Sequence, residues 1–145
     1  MDTRSEALNV VQAINKAWEA DDIKAVMGFI AQDCILNVHL PEGLAAHCGV
    51  RVGRDAVRAA LLEFRQQYKL ILYRPIIVSF DAREVRQRVE FMATQTASGE
   101  RVVLNCRQVW VIERAMVVRC DEYHDAPLVE AQIRMIDWTQ TERPN

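Results

Sequence analysis

The chain has 145 residues, half of them hydrophobic, and its 18 basic and 20 acidic residues leave a formal net charge of −2. This size and composition predict one domain spanning residues 1–145 with a sizeable apolar core. The balanced charge, without a basic face that carries interleaved aromatic residues, excludes nucleic-acid binding. The N-terminus lacks a signal-peptide pattern and no apolar run approaches the ~20 residues that span a bilayer, so we expect a cytoplasmic protein with no membrane partner.

Hydrophobic periodicity predicts three helices and two strands in the N-terminal half. The first helix has apolar residues at helical spacing, two aspartates can cap the second, and the third follows a glycine turn with Asp55 as its expected cap. In chain order these elements are a helix over 4–19, a helix from 22 to near 33, a strand over 34–40, a short strand over 50–52 and a helix over 55–68.

The C-terminal half alternates between apolar and polar residues without an intervening helix, which is typical of antiparallel strands. The predicted strands cover 70–80, 84–96, 101–113 and 116–124, and Asp125 followed by Pro127 opens a closing helix. Helices followed by a run of long strands indicate the α+β class, with helices covering one face of a curved, mostly antiparallel sheet.

The four cysteines give no sign of a metal or redox site. They are not spaced as CxxC, and no paired His-x-x-x-His accompanies them. Three of them lie in apolar strand patterns, where a free cysteine usually serves as a small buried residue. We therefore expect reduced core thiols, no bound metal and no other cofactor. The four residues are Cys34, Cys48, Cys106 and Cys120.

Polar residues recur at alternate positions of three predicted strands. Arg88 and Glu90 share one face of the 84–96 strand, and Glu122 and His124 share one face of the last strand. Such a pair can point into a cavity, or it can belong to the face of an antiparallel sheet that meets solvent. The two histidines of these strands, His39 and His124, can equally be hydrogen-bonded residues at strand ends.

The element order, "GRDAV" at the opening of the third helix and "EYHD" at the end of the last strand resemble the nuclear transport factor 2-like fold. This superfamily includes ketosteroid isomerase, the SnoaL-type polyketide cyclases and limonene epoxide hydrolase. The resemblance implies a cone-shaped α+β roll in which a curved sheet wraps around the N-terminal helices and a C-terminal helix follows. It also implies a homodimer through the outer sheet face, for which the expected apolar residues are Val89, Phe91, Val109 and Val111.

Within the superfamily, Arg88-Val89-Glu90 and Glu122 before Tyr123 are most similar to the catalytic residues of limonene epoxide hydrolase, with Glu in place of both Asp. By this resemblance, Glu122 deprotonates a water held by a residue of the first strand, and Glu90 protonates the epoxide oxygen. Arg88 bridges the two carboxylates. The residues of the first strand that would hold the water are Asn37 and His39. The residues expected to contact a small apolar substrate are Met92, Leu104, Cys106, Gln108, Trp110, His124 and Val129.

Two alternatives stay open from the sequence. One is a proton-transfer enzyme similar to ketosteroid isomerase or the polyketide cyclases, although Ile14 stands about where the isomerase has a tyrosine, and His39 falls near its basic position. The other is a non-catalytic module that binds a ligand or dimerises, because a fold does not determine a function.

Overall fold

Helices cover the concave face of one curved, open sheet in this computed structural model, which describes residues 3–45 and 47–142. The helices are α1 (Thr3–Glu19), α2 (Ile23–Met27), α3 (Arg54–Gln67) and α4 (Ala126–Glu142). The strands are β1 (Ile30–His39), β2 (Gly49–Val52), β3 (Tyr68–Phe80), β4 (Glu84–Gln95), β5 (Arg101–Val103), β6 (Cys106–Glu113) and β7 (Met116–His124). The predicted α+β class is thereby confirmed.

The sheet has the strand order β2-β1-β7-β6-β4-β3, and β5 pairs with β4. Strands β1 and β7 run parallel, whereas every other pairing of the described strands is antiparallel. Long-range pairing therefore joins the start of the sheet to its last strand. The register places Glu122 of β7 between Val38 of β1 and Gln108 of β6. It thereby fixes which side chains meet on the concave face.

The second helix is much shorter than the sequence pattern predicts. Asp22 caps it by accepting a hydrogen bond from the Ala25 N–H, and the chain leaves the helix at Gly28. Ile30, predicted to lie inside the helix, instead begins β1 opposite Val117 of β7. Apolar residues here suit both helix and strand, and pairing with a distant strand decides between them.

Helix α3 begins after Gly53, whose φ of 93° lies in the region that favours glycine. Asp55, the expected cap, lies instead in the first turn, where its charge suits the helix dipole. At the C-terminal end of the sheet, the prediction for Asp125 is confirmed, because its carboxylate accepts a hydrogen bond from the Leu128 N–H at the start of α4.

The core consists of two apolar clusters on the concave side of the sheet. The first packs α1, α2 and part of α3 against β1, β4, β6 and β7, and includes Val11 and Val117. The second packs Phe64 of α3 and Val129 of α4 against the opposite part of the sheet. Residues from both clusters line a cavity between them. None of the described helices is long and apolar enough to cross a membrane.

The two faces of β4 are the reverse of those used in the sequence prediction. The buried residues of this strand are Val85, Gln87, Val89, Phe91 and Ala93. The alternate residues, Arg88 and Glu90 among them, point to the outer face. The expected apolar dimer surface is therefore partly wrong, because Val89 and Phe91 belong to the core, while Val109 and Val111 remain partly exposed.

Candidate active site

A cavity of about 90 Å³ lies between helices α1 and α3 and the concave face of the sheet. One water needs roughly 10–15 Å³ of such space, so the cavity has room for a compact organic molecule. Its lining is mostly apolar and includes Ile14, Trp18, Leu36, Val57 and Val89. Besides Trp18, five lining residues carry a polar side-chain atom other than sulfur: His47, Tyr73, Gln108, Trp110 and Glu122. Few polar groups in an apolar cavity are typical of small-molecule sites.

Among the described residues that line the cavity, Glu122 is the one with a carboxylate. Gln108, directly opposite on β6, donates from Nε2 to Oε1 at 2.7 Å, and Nε2 of His124 lies 2.7 Å from Oε2. Burial opposes the charged form, but the charge and hydrogen bond of His124, together with the Gln108 bond, lower the pKa of Glu122 to about 2. The side chain keeps 17% of its exposure, so it is an ionised group largely withdrawn from water.

A chain of buried amides holds Gln108 in place. Its Oε1 accepts from Gln87 Nε2 at 2.6 Å and from the Trp110 indole N–H at 3.1 Å. Gln87 and Asn15 then exchange two hydrogen bonds of 2.8 and 3.0 Å, and the Tyr73 hydroxyl donates to Asn15 Oδ1 at 2.8 Å. The polar chain therefore runs from Tyr73 on β3 through α1, β4 and β6 to Glu122. Since buried amides are costly without partners, this network fixes the orientation of the carboxylate.

Tyr73 ends this chain on the cavity lining. Burial raises its pKa well above the ordinary value of 10, and the nearby Cys106 and Glu122 raise it further. The hydroxyl is therefore protonated at neutral pH and donates to Asn15.

His47 is a further cavity residue, contributed by the loop between β1 and β2. Its ring packs edge-on against Phe64 and Tyr68, with centroid distances of 5.1 and 5.9 Å. Burial lowers its pKa from 6.5 in spite of the opposing charge of Glu122, so the imidazole is neutral at neutral pH. Nδ1 of His47 is buried without a hydrogen-bond partner among the described residues.

Comparison with known proteins places this fold in a family. A family description of the SnoaL-like domain matches residues 11–120, which is most of the chain. The chain belongs to the SnoaL-like family. A search of curated proteins finds no significant match. Membership establishes the fold and family of the protein. The functional residues of this SnoaL-like domain are inferred from the geometry of its own cavity.

Solved structures similar to this SnoaL-like domain share its fold at low sequence identity. A candidate polyketide cyclase from Xanthomonas campestris is 19% identical, with a TM-score of 0.76 over 90% of this chain and 98% of that one. A candidate isomerase from Bacillus subtilis is 15% identical, with a TM-score of 0.78 over 93% and 96%. TerC, crystallised with polyporic acid, is 14% identical, with a TM-score of 0.73 over 91% and 98%.

The SnoaL-like domain does not bring together the predicted group of one arginine and two carboxylates. Arg88 is exposed on the outer face, and Glu90 lies 3.4 Å from Arg74 Nε on the same side of the sheet. Glu122 points to the opposite face, on which Gln108 and Gln87 lie. The reason is the strict two-residue period of a strand, which puts Gln87 and Val89 inside and the residues beside them outside.

Asn37 and His39 are also separated from Glu122 by the sheet. Cys34, Leu36 and Val38 supply the inward face of β1. His39 stacks on Tyr123 at 4.2 Å and contacts Asp121 at 2.9 Å, and Asp121 also accepts from Arg119. His39 therefore belongs to a polar group on the outer face, and Asn37 lies opposite Asp121 on the same side, so neither can position a water against Glu122.

The residues predicted to contact a substrate lie in four different places. Gln108 and Trp110 line the cavity. His124 lies behind Glu122, and Met92 points to the outer face, because its neighbours Phe91 and Ala93 are buried. The remaining three are buried in the second apolar cluster and do not line the cavity: Leu104, Cys106 and Val129.

Two buried amides could have been identified from the sequence. Asn15 lies in the helical stripe of Val11, Ile14 and Trp18, and Gln87 alternates with Val85 and Val89. A polar residue on an apolar face predicts a buried hydrogen bond. His47 lies in an irregular loop without periodicity, so the sequence carries no comparable sign of its position.

The SnoaL-like domain also gathers three potential metal ligands from the paired strands β6 and β7. One donor atom each from Cys106, Glu122 and His124 lies within 4.8 Å of the others. Burial, followed by the charge of Glu122, raises the pKa of the Cys106 thiol, which also hydrogen-bonds to Glu122. The sequence spacing alone gives no indication of this group, because β6 and β7 bring it together.

Proposed function

We propose that this protein is a small-molecule enzyme that moves a proton on a compact, largely apolar molecule, in an isomerisation or cyclisation. The observation that carries the proposal is the ionised Glu122 carboxylate in an apolar cavity. A carboxylate has about four acceptor positions, and Gln108, His124 and Cys106 use three of them. The remaining position is available to a proton of a bound molecule.

The electrostatics of Glu122 restrict the substrate class. A carboxylate with a pKa of about 2 is a weak base, and each pKa unit separating it from the substrate adds about 1.4 kcal/mol to proton transfer. We infer that the substrate proton is already acidic, as between two carbonyl groups or on an enol. Glu122 accepts this proton and returns it at another carbon or oxygen, while His124 and Gln108 keep the carboxylate oriented.

The family and its similar structures support this choice over epoxide hydrolysis. The similar structures include a candidate polyketide cyclase and a candidate isomerase. Epoxide hydrolysis by Arg88, Glu90 and Glu122 would need groups that lie on opposite faces of the sheet. Proton transfer needs only the cavity and one oriented carboxylate.

The low pKa of Glu122 also favours a second candidate, which is binding without reaction. A carboxylate that holds its charge so firmly can accept a hydrogen bond from a ligand hydroxyl without taking the proton. In this case the amide chain from Tyr73 to Gln108 orients a recognition group and contributes to specificity.

Deuterium exchange separates the two candidates. A panel of cyclic 1,3-dicarbonyl compounds and enols is incubated in D₂O with the metal-free protein, and exchange at carbon is followed by NMR. We expect the wild-type protein to accelerate exchange of at least one compound and Glu122→Gln to lose about a hundredfold or more of that rate, within the usual range for acid–base residues. Compounds that bind without exchange, in both proteins, would establish the binding role instead.

Glu90→Gln is the informative companion variant, because it changes the same residue type on the opposite face of the sheet. We expect its exchange rate to equal that of the wild-type protein, since Glu90 contacts Arg74 on the outer face. A loss of rate in Glu90→Gln equal to that in Glu122→Gln would contradict the assignment of the cavity as the active site.

A further inference from the structure

We propose that Cys106, Glu122 and His124 form a binding site for a divalent metal ion of the zinc type. The site arises from the pairing of β6 with β7, in which Cys106 lies directly opposite His124 and Glu122 precedes His124 by two residues on the same face. One donor atom from each residue falls within 4.8 Å of the other two. The three donors therefore already converge on one point without any change of the backbone.

The donor set suits zinc in chemistry and in size. Thiolate, imidazole and carboxylate are the groups that bind Zn²⁺ in proteins, at about 2.0 to 2.3 Å. Tetrahedral donors at these lengths lie roughly 3.3 to 3.8 Å apart, which is inside the span of the present group. His124 Nε2 and Glu122 Oε2, which lie 2.7 Å apart, have to separate by about 0.6 Å if both become ligands.

An unsatisfied buried atom points to a missing partner at this place. Nδ1 of His124 is buried without a hydrogen-bond partner among the described residues, and the side chain keeps only 2% of its exposure. Buried polar atoms in native structures nearly always have partners, and an ion or water is a usual explanation for an exception. An ion bound through Nδ1 would satisfy this atom directly, whereas an ion bound through Nε2 would leave it unsatisfied.

Charge balance favours a divalent ion. The Cys106 thiol and the Glu122 carboxylate become two anionic ligands once the thiol proton leaves for solvent. His124, whose charge stabilises the Glu122 carboxylate in the metal-free protein, also releases one proton to solvent and binds as a neutral ligand. With M²⁺ the group is then neutral, so no net charge stays buried. A metal–sulfur and a metal–nitrogen bond replace one S–H and one N–H bond, and no electron is transferred.

The position of the site relative to the cavity gives it a consequence for activity. Glu122 lines the cavity, whereas Cys106 and His124 lie behind it, so a fourth ligand has to come from the cavity side. A water or a substrate oxygen can fill that place, which is the arrangement of metal sites with an open position. The ion binds the same carboxylate that accepts the proton, so metal binding and proton transfer compete. This competition, unlike the metal site itself, rests on the proposed function.

Cobalt spectroscopy tests the site without any substrate. Co²⁺ is titrated into the chelator-treated, reduced full-length protein, and we expect one ion per chain with a sulfur-to-metal charge-transfer band that Zn²⁺ abolishes. Cys106→Ser should lose that band and at least about tenfold in affinity. Cys120→Ser is the matched control, because Cys120 is a buried cysteine on the same face and should keep the band.

Three results would overturn the site. They are a wild-type protein without a charge-transfer band, a band that persists in Cys106→Ser, and a band that is lost equally in Cys120→Ser and Cys106→Ser. If Cys106→Ser does not fold, anomalous scattering from zinc-soaked crystals of the wild-type protein decides, and zinc anywhere other than beside Cys106 refutes the proposal. The deuterium-exchange assay is run with chelator, so the two proposals fail independently.

Discussion

At the scale of single residues, the environment of Glu122 is set by two opposed effects. Burial alone would keep its proton on, and His124 and Gln108 together reverse that tendency. The carboxylate is therefore charged because of its neighbours, in a place where a lone carboxyl group would be neutral. This dependence makes the protonation of Glu122 sensitive to changes at His124.

His124→Phe should raise the pKa of Glu122 from about 2 in the metal-free protein. The substitution removes both the charge and the hydrogen bond of the imidazole, while burial remains and is no longer outweighed. The measurement is a carbon NMR titration of isotope-labelled glutamate carboxyls with chelator present. His39→Gln is the control, because His39 contacts Asp121 on the outer face and its loss should leave the Glu122 titration unchanged. An unshifted pKa in His124→Phe would contradict the described contact.

Glu122 should also make the stability of the metal-free protein depend on pH. Its folded-state pKa of about 2 lies below the ordinary 4.5, so its contribution is fully present above 4.5 and is lost as the pH falls from there towards 2. The shift corresponds to a free energy on the order of 3 kcal/mol. Urea unfolding at several pH values should show this loss in the wild-type protein and a shallower loss in Glu122→Gln. Parallel curves for the two proteins would show that Glu122 titrates normally.

At the scale of elements, β4 carries two different surfaces on one strand. Its inward apolar residues belong to the two apolar clusters, and Gln87, only 1% exposed, lies between them along the strand, while Arg86 and Arg88 meet solvent. Gln87 is the link between Asn15 on α1 and Gln108 on β6. The strand thereby connects the helix layer to the carboxylate in the cavity.

Gln87→Met should destabilise the protein by about 2 to 6 kcal/mol, because Asn15 and Gln108 each lose a buried hydrogen-bond partner at roughly 1 to 3 kcal/mol per group. Arg88→Met makes a similar replacement one residue further on the exposed face, and its effect should stay within about 0.5 kcal/mol. The free energies of unfolding come from urea titration. Equal effects of the two variants would show that the register of β4 is shifted by one residue.

How far these elements could be predicted depends on the range of the interactions that form them. The long strands and helices α1 and α3 follow from periodicity, because their apolar faces are encoded locally. The end of α2 could not be found in this way, since Ile30 becomes a strand residue through Val117, far along the chain. The candidate site shows the same division: the sequence indicated Glu122 and Gln108 but placed the wrong face of β4 inward, because one strand alone does not reveal which face the helices cover.

At the scale of the whole molecule, the outer face of the sheet carries apolar residues that nothing in the described chain covers. Leu72, Met92 and Val103 lie side by side in the register of β3, β4 and β5, and Leu72 is 48% exposed. We propose, as the resemblance to this superfamily implies, that this face mediates a homodimer. Adjacent exposed apolar side chains on a sheet are typical of an interface.

Leu72→Glu should convert the protein from dimer to monomer, because a charge buried in an apolar interface lacks a partner. Light scattering at micromolar concentration measures the mass of each variant. Leu128→Glu is the matched control, since Leu128 has the same residue type and the same 48% exposure but belongs to helix α4 instead of the sheet. A monomeric wild-type protein, or dissociation in Leu128→Glu only, would refute the proposed interface.

The parallel pairing of β1 with β7 has a consequence for how the chain acquires its structure. Its register joins Leu36 to Cys120 and Val38 to Glu122, so the seam closes a loop of more than eighty residues. Closing such a loop costs chain entropy before its contacts are gained, and proteins rich in distant pairings fold slowly. During synthesis, β1 and the apolar faces of α1 and α3 have to wait until β7 emerges from the ribosome. Because Cys120 and Glu122 of β7 line the cavity, we expect it to form late, and a nascent chain that ends before β7 to expose apolar surface that favours aggregation.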